Sequence, residues 1–329
     1  MSHFATDLPA FDDLLAAAAR IAPLAHATAV LRSRALDADA GAALHFKAEH
    51  LQRTGAFKFR GACNAVFSLG EDTAASGVVT HSSGNHGAAL ALASRLRGIP
   101  CHVVVPEGAV RAKLAAIAHY GATLHHCAPT IAAREAMCAR VEANTGATPV
   151  HPYTDPRVIA GQGTAALELL TVHPDLDALV VPLGGGGLAA GTALAMRALA
   201  PGCRLLLAEP EGAADGARSF ARGVLDHDFV PETICDGLRG TLGAPNFDIL
   251  RAAGAEVLTV DDARTVAAMR LLWTRTKQLV EPSSAVALAA VLAYGARFAG
   301  RKVGIILSGG NVDLDALPAL FALAPGGNP

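Results

Sequence analysis

The chain has 329 residues, 52% of them hydrophobic and 17% charged, with a formal charge of −2 at pH 7. That length leaves room for about two domains and a large core; the composition excludes a disordered chain, and the near-neutral charge argues against nucleic acid or an anionic membrane surface as partner. A small molecule is the partner this balance predicts.

The six cysteines show no CxxC pair or metal-finger spacing, which predicts free thiols in a reducing cytosol. No basic leader followed by an apolar core opens the chain, so secretion is not expected. The longest apolar run, Ala178 to Leu199, contains Pro182 and Gly184 to Gly187, which fits a strand-turn-helix junction better than a membrane helix.

Short β-branched or apolar runs alternate with alanine-rich stretches, the pattern of a parallel sheet with crossover helices. Strands are predicted at Ala43 to Ala48, Gly77 to His81, Cys101 to Val105, Thr123 to Cys127, Ala178 to Pro182, Leu205 to Ala208, Glu256 to Val260 and Val303 to Leu307. A helix is predicted over Ser83 to Arg97, opened by small residues and stopped by Gly98-Ile-Pro. The compact strand-helix units after Gly77 predict a small domain over 77–154, inserted in a larger one built from 1–76 and 155–329.

Four segments carry chemistry. Lys58 stands between Phe57 and Phe59; apolar surroundings destabilise an ammonium and favour the neutral, nucleophilic amine that Schiff-base chemistry needs. Taken alone, the segment reads more readily as a surface lysine whose phenylalanines face a core. Next, Thr80-His-Ser-Ser-Gly-Asn-His-Gly87 follows a strand and opens a helix. The unpaired amides of such a terminus, with Ser82, Ser83 and Asn85, form a site for a carboxylate or phosphate, or an ordinary cap and turn. Third, Gly184 to Gly187 again joins a strand to a helix. Four glycines are entropically costly and suit a backbone that wraps a terminal phosphate closely. The spacing is no P-loop, and Glu209 alone keeps a dinucleotide reading open. Last, Ser308 ends a strand, where open α/β sheets bind ligands.

In order, these segments resemble the fold type II family of pyridoxal-phosphate (PLP) enzymes, in its serine racemase and threonine/serine dehydratase branch. His151-Pro, Val158-Ile-Ala-Gly-Gln-Gly-Thr164, Glu232-Thr-Ile-Cys-Asp-Gly237 and Glu281-Pro-Ser-Ser extend the likeness along nearly the whole chain. The resemblance implies a tryptophan synthase β-like fold, two open parallel-rich sheets with helices on both faces, and a homodimer. Lys58 would hold PLP as a Schiff base, with Phe57 and Gly237 flanking the ring and Asn85 bonding its 3-hydroxyl. Gly184, Gly185, Gly186 and Gly187 would cradle the phosphate, and Ser308 would bond the ring nitrogen. A hydroxyl does not hold that nitrogen protonated as an aspartate would, so the ring is a weaker electron sink, which favours elimination or quick reprotonation over transamination.

The implied reaction is dehydration of serine or threonine to a 2-oxo acid and ammonia. Ser82, Ser83, Asn85 and the His86 backbone would hold the substrate carboxylate, and Lys58 would take the α-proton. Ser83, on the opposite face, would permit racemisation. Serine or aspartate racemase and 3-hydroxyaspartate dehydratase are the alternatives; the counterpart of Arg134 approaches a second carboxylate, which would permit 3-hydroxyaspartate or aspartate as substrate. Glu209, the Ala213 carbonyl and Asp215 resemble the branch's Mg²⁺ or Ca²⁺ site. Thr54, Tyr120 and Asn311 match positions that bind ATP in eukaryotic racemases, but Ala88 replaces a glutamine and Arg53 a lysine, so nucleotide activation is expected to be weak or absent. Two departures alter the pocket wall: Tyr153 where animal racemases have asparagine, and Gly240 in place of a serine.

Overall fold

The structure is a computed structural model that describes residues 8–109 and 111–324. Among the described residues, ten strands form two sheets. They are β1 (Val30–Leu31), β2 (Ala43–Lys47), β3 (Val78–His81), β4 (Cys101–Pro106), β5 (Thr123–Cys127), β6 (Thr148–Pro149), β7 (Ala178–Pro182), β8 (Arg204–Pro210), β9 (Glu256–Val260) and β10 (Lys302–Ile306).

The larger sheet runs β1-β2-β10-β7-β8-β9 and the smaller β5-β4-β3-β6. Every pairing is parallel except β1 with β2. The expected α/β architecture of two open, parallel-rich sheets is therefore the observed one. All eight predicted strands are present within one or two residues at their ends. The two-residue β1 and β6 went unpredicted, being too short to carry a periodic signal. The predicted helix over Ser83 to Arg97 starts two residues late, at Asn85, because Gly84 has a non-helical backbone; it ends at Gly98 in the left-handed conformation.

Alternation along the strands sends side chains to two apolar layers. On one face Val180, Leu206, Leu258 and Ile305 pack with Val286, Leu288 and Val291 of helix Pro282–Ala293. On the other, Leu179, Val181, Leu205 and Leu207 pack with Leu169 and Leu194, from helices Pro156–Val172 and Gly187–Leu199.

The helix that begins with Lys58, Lys58–Phe67, belongs by chain position with the larger sheet, yet its Phe59, Ala62 and Val66 share a core with Val78, Leu90 and Val103 of the smaller one. It is thus clamped between helices Asn85–Arg97 and Pro156–Val172. Glycine makes the clamp possible: a Cβ on Gly161 would lie 2.6 Å from the Gly61 Cα.

A buried charge cluster anchors the same helix. Arg60 is fully buried and forks onto both Glu49 oxygens at 2.7 and 2.9 Å and both Glu168 oxygens at 2.7 and 2.9 Å. Lys47 Nζ donates to Glu168 at 2.5 Å and to the Thr28 carbonyl at 2.7 Å. Burial works against the Glu168 carboxylate, but the Arg60 and Lys47 bonds hold it below the usual carboxylate range.

Candidate active site

Parallel strands deliver their carboxyl ends to one edge, and both sheets turn that edge toward Lys58. Lys58 is the first residue of its helix and is half-buried. Its Nζ donates to the Pro152 carbonyl at 2.8 Å, just past β6, and sits 5.1 Å from the centre of the Phe57 ring. Phe57 N donates to the Ser308 carbonyl at 2.9 Å, and Ala56 bridges Gly309, so the residues after β10 lie beside the lysine. Desolvation lowers the amine from its ordinary 10.5 to about 8, against an upward pull from Glu281. Neutral amine is thus accessible near physiological pH.

Asn85 opens its helix after the β3 loop. Its amide donates to Glu281 at 2.9 and 3.3 Å, and its carbonyl oxygen accepts from Asn311 Nδ2 at 2.9 Å. Glu281 is buried, and desolvation with Asp236 nearby pushes its carboxyl up to about 7. This contact was missed at the sequence level; the Glu281-Pro-Ser-Ser segment signals only a helix start, and nothing local points it at Asn85.

Ser82 and Ser83 precede the helix, with Ser82 Oγ accepting from Gly84 N at 3.4 Å. Burial, Lys58 and His151 push the His86 ring well below its ordinary value, so it stays neutral. His151 is lowered to about 3 by burial, His81 and Lys58; its Nδ1 accepts from Thr154 N at 3.1 Å, and its ring meets His81 edge-on at 5.4 Å. Arg134, on helix Ile131–Thr145, is half-buried beside His81, with its Nε lacking a hydrogen-bond partner among the described residues.

The glycine loop follows β7. The amides of Gly184 to Gly187 stand at or before the first turn of helix Gly187–Leu199, where the helix itself offers no acceptor. Gly186 has φ +87, and a Cβ on Gly185 would lie 2.3 Å from Tyr153 Cγ. The Tyr153 ring is the back wall of the loop. A Cβ on Gly240 would stand in ordinary contact with this ring, at 3.5 Å. Asn246 ties the wall to the loop by donating to the Tyr153 carbonyl at 2.8 Å and the Gly185 carbonyl at 2.6 Å. Gly237 N donates to Ser283 Oγ at 3.0 Å, and the adjoining Leu238 Cα would meet a Cβ on Gly184 at 2.9 Å. The predicted residues Phe57, Lys58, Asn85, Gly184 to Gly187, Gly237 and Ser308 thus lie along one connected rim. A lysine, a cradle of amides that tolerates no Cβ, and a buried Ser308 fit a PLP phosphate, ring and aldehyde.

Glu209 and Asp215 lie behind this rim. Glu209 accepts from Gly216 N at 2.9 Å and Ala217 N at 2.8 Å, which leaves it no role as a ribose partner. Asp215 Oδ2 accepts from Leu242 N at 2.7 Å, while its buried Oδ1 has no partner among the described residues. Burial pushes Glu209 up to about 8 and raises Asp215 as well. Among the described residues, no group of three or more His, Cys, Asp or Glu gathers as a metal cage. The two carboxylates with the Ala213 carbonyl are a smaller, hard-oxygen set.

Comparison with known proteins agrees with this geometry. The family model described as "Pyridoxal-phosphate dependent enzyme" matches residues 21–309. The chain is 48% identical over 311 residues to the β-hydroxyaspartate dehydratase of Paracoccus denitrificans, covering 94% of this chain and 99% of that protein. It is 46% identical over 303 residues to the serine racemase of Arabidopsis thaliana, covering 91% and 92%. The structure of maize serine racemase superposes with a TM-score of 0.92 at 44% identity, covering 96% of this chain and 98% of that one. With the lysine, the glycine cradle and the two-sheet fold all accounted for in this way, the chain belongs to the pyridoxal-phosphate-dependent enzymes of fold type II and is an enzyme of the kind that comprises their lyases and racemases.

Proposed function

We propose that the enzyme is an ammonia-lyase that eliminates the β-hydroxyl of 3-hydroxyaspartate to give a 2-oxo acid and ammonia, with serine and threonine as poorer substrates. Arg134 carries this reading: a half-buried guanidinium beside His81, which precedes the Ser82–His86 loop, with Nε unpartnered among the described residues. A second carboxylate supplies the absent acceptor through a charge-assisted bond, and the name of the Paracoccus relative supports the choice. The serine or threonine expected from the sequence offers Arg134 no second carboxylate.

Bound PLP supplies the electron sink that acidifies the α-carbon. The protein does the rest. Amides of the Ser82–His86 loop would orient the α-carboxylate, the glycine loop would hold the cofactor phosphate, and Ser308 would bond the ring nitrogen. Lys58, lowered to about 8, takes the α-proton as a neutral amine. Glu209, the Ala213 carbonyl and Asp215 bind Mg²⁺ or Ca²⁺, supported by the unpartnered Asp215 Oδ1; a cation-dependent thermal shift that Asp215→Asn abolishes is the check. Residues 77–154 act as a small domain, since all four strands of the smaller sheet fall within them. Free cysteines among the described residues support a cytosolic enzyme, and a homodimer is the assembly to test by light scattering. Nucleotide activation is weak or absent, because Asn311 Nδ2 is already committed to the Thr54 carbonyl and Asn85.

Stereoisomers of serine, threonine and 3-hydroxyaspartate, assayed together for 2-oxo acid and for enantiomer, test the reading. Arg134→Gln should raise KM for 3-hydroxyaspartate by about 10- to 100-fold, the worth of a charged hydrogen bond, and leave serine nearly unchanged. Equal losses on both substrates would overturn it. Racemisation is the second reading, supported by the serine racemase relatives; Ser83→Ala should stop enantiomer exchange while elimination continues.

A further inference from the structure

A charge pair spans the mouth of the pocket. Lys113, on helix Arg111–His119 beside the smaller sheet, pairs through Nζ with Asp236 Oδ2, on the turn Asp236–Leu238 beside the larger one. The partners are 123 residues apart in sequence, with side chains 23% and 42% exposed, so the contact sits at the rim and not in a core. The turn that Asp236 opens is part of the pocket. Gly237 N donates to Ser283 Oγ at 3.0 Å, and Leu238 packs against Gly184 of the glycine loop.

We propose that Lys113 and Asp236 are a positioning pair for the cofactor: their contact draws helix Arg111–His119 and the Asp236–Leu238 turn together and so holds Gly237 against the PLP ring. The inference rests on the reading of Gly237 as a ring-flanking residue, and not on the choice of substrate. No other ion pair of the described residues joins these two elements.

The same two side chains face Glu281 under Asn85. Burial and Asp236 push the Glu281 carboxyl up, while Lys113 and the Asn85 amide pull it down. Lys58 and Cys235 feel this carboxylate from the other elements packed around it. Removing the charge of Lys113 and removing that of Asp236 therefore move Glu281 in opposite directions. A plain structural tether would not.

The test uses holoenzyme carrying Lys113→Gln, Asp236→Asn, both together, and the reversed pair Lys113→Asp with Asp236→Lys. PLP affinity is measured by reconstitution, and the pH midpoint of the visible Lys58–PLP band by titration. Each single variant should weaken PLP binding by about two- to five-fold, the range of a rim ion pair. The double variant should be no worse than a single one, and the reversed pair should recover affinity. The Lys113→Gln midpoint should fall, because a less ionised Glu281 pulls Lys58 up less, and the Asp236→Asn midpoint should rise. Additive losses in the double variant, no recovery on reversal, or midpoints that move together or stay still would overturn the proposal. Neither readout uses substrate, so such a failure leaves the hydroxyaspartate reading standing.

Discussion

Lys58 serves chemistry at the expense of folding, and the size of that conflict is measurable. Its amine falls from 10.5 in an unfolded chain to about 8 in the fold, chiefly by desolvation. The difference between 10.5 and 8 at about 1.36 kcal/mol per pH unit is about 3 kcal/mol. Below pH 8 the buried ammonium carries the full cost. Between 8 and 10.5 the unfolded state binds the extra proton, so stability rises with pH through that window and levels above it. Lys58→Met keeps the length of the side chain and removes the charge, but forfeits the Pro152 hydrogen bond, worth about 1 kcal/mol. In cofactor-free protein the variant should therefore be more stable than the parent by about 2 kcal/mol at pH 7, with the advantage gone above pH 10.5. Urea unfolding across that pH range is the assay. Equal stability at pH 7, or an advantage that persists unchanged at high pH, would refute the desolvation argument and with it the activated amine.

Arg60→Met should cost about 3–5 kcal/mol in urea unfolding, because it leaves the fully buried Glu49 facing no guanidinium; a loss under 1 kcal/mol would show that the cluster relaxes by another route. Gly185→Ala should weaken PLP binding and destabilise the fold by about 1–3 kcal/mol, since its Cβ would lie 2.3 Å from Tyr153 Cγ; if that clash is the cause, pairing it with Tyr153→Ala should cost less than the two single changes summed. Glu281, ordinarily 4.5 and here about 7, loses stability for the fold as pH rises from 4.5 to 7. Glu281→Gln should remove that slope, so it gains on the parent as pH increases, and identical pH profiles would contradict the buried carboxylate.

Much of the site is written locally. Lys58 between phenylalanines, small residues opening the helix after β3, four glycines after β7 and Ser308 after β10 each combine a residue type with a strand end, and local sequence carries both. Parallel sheets then bring such ends to one edge whatever else the chain does. What surrounds these residues had no local signal. Glu281 under Asn85, the Pro152 carbonyl on Lys58, the Tyr153 ring behind Gly185 and the rim pair of Lys113 with Asp236 all join residues about a hundred positions apart or further, or a side chain to a backbone. Periodicity and propensity are properties of neighbouring residues, so such contacts are invisible to them.

By itself the sequence determined the alternation of strands and helices, the residue types at each strand end and hence the chemistry on offer. Tertiary structure alone decided that Lys58 is desolvated, that Arg134 lies beside His81, and that Arg60 closes a buried cluster on the helix that begins with Lys58. The physical reason is that burial and Coulomb attraction depend on which atoms are near in space. The packing of the elements of both sheets sets those distances, and no stretch of chain does so alone.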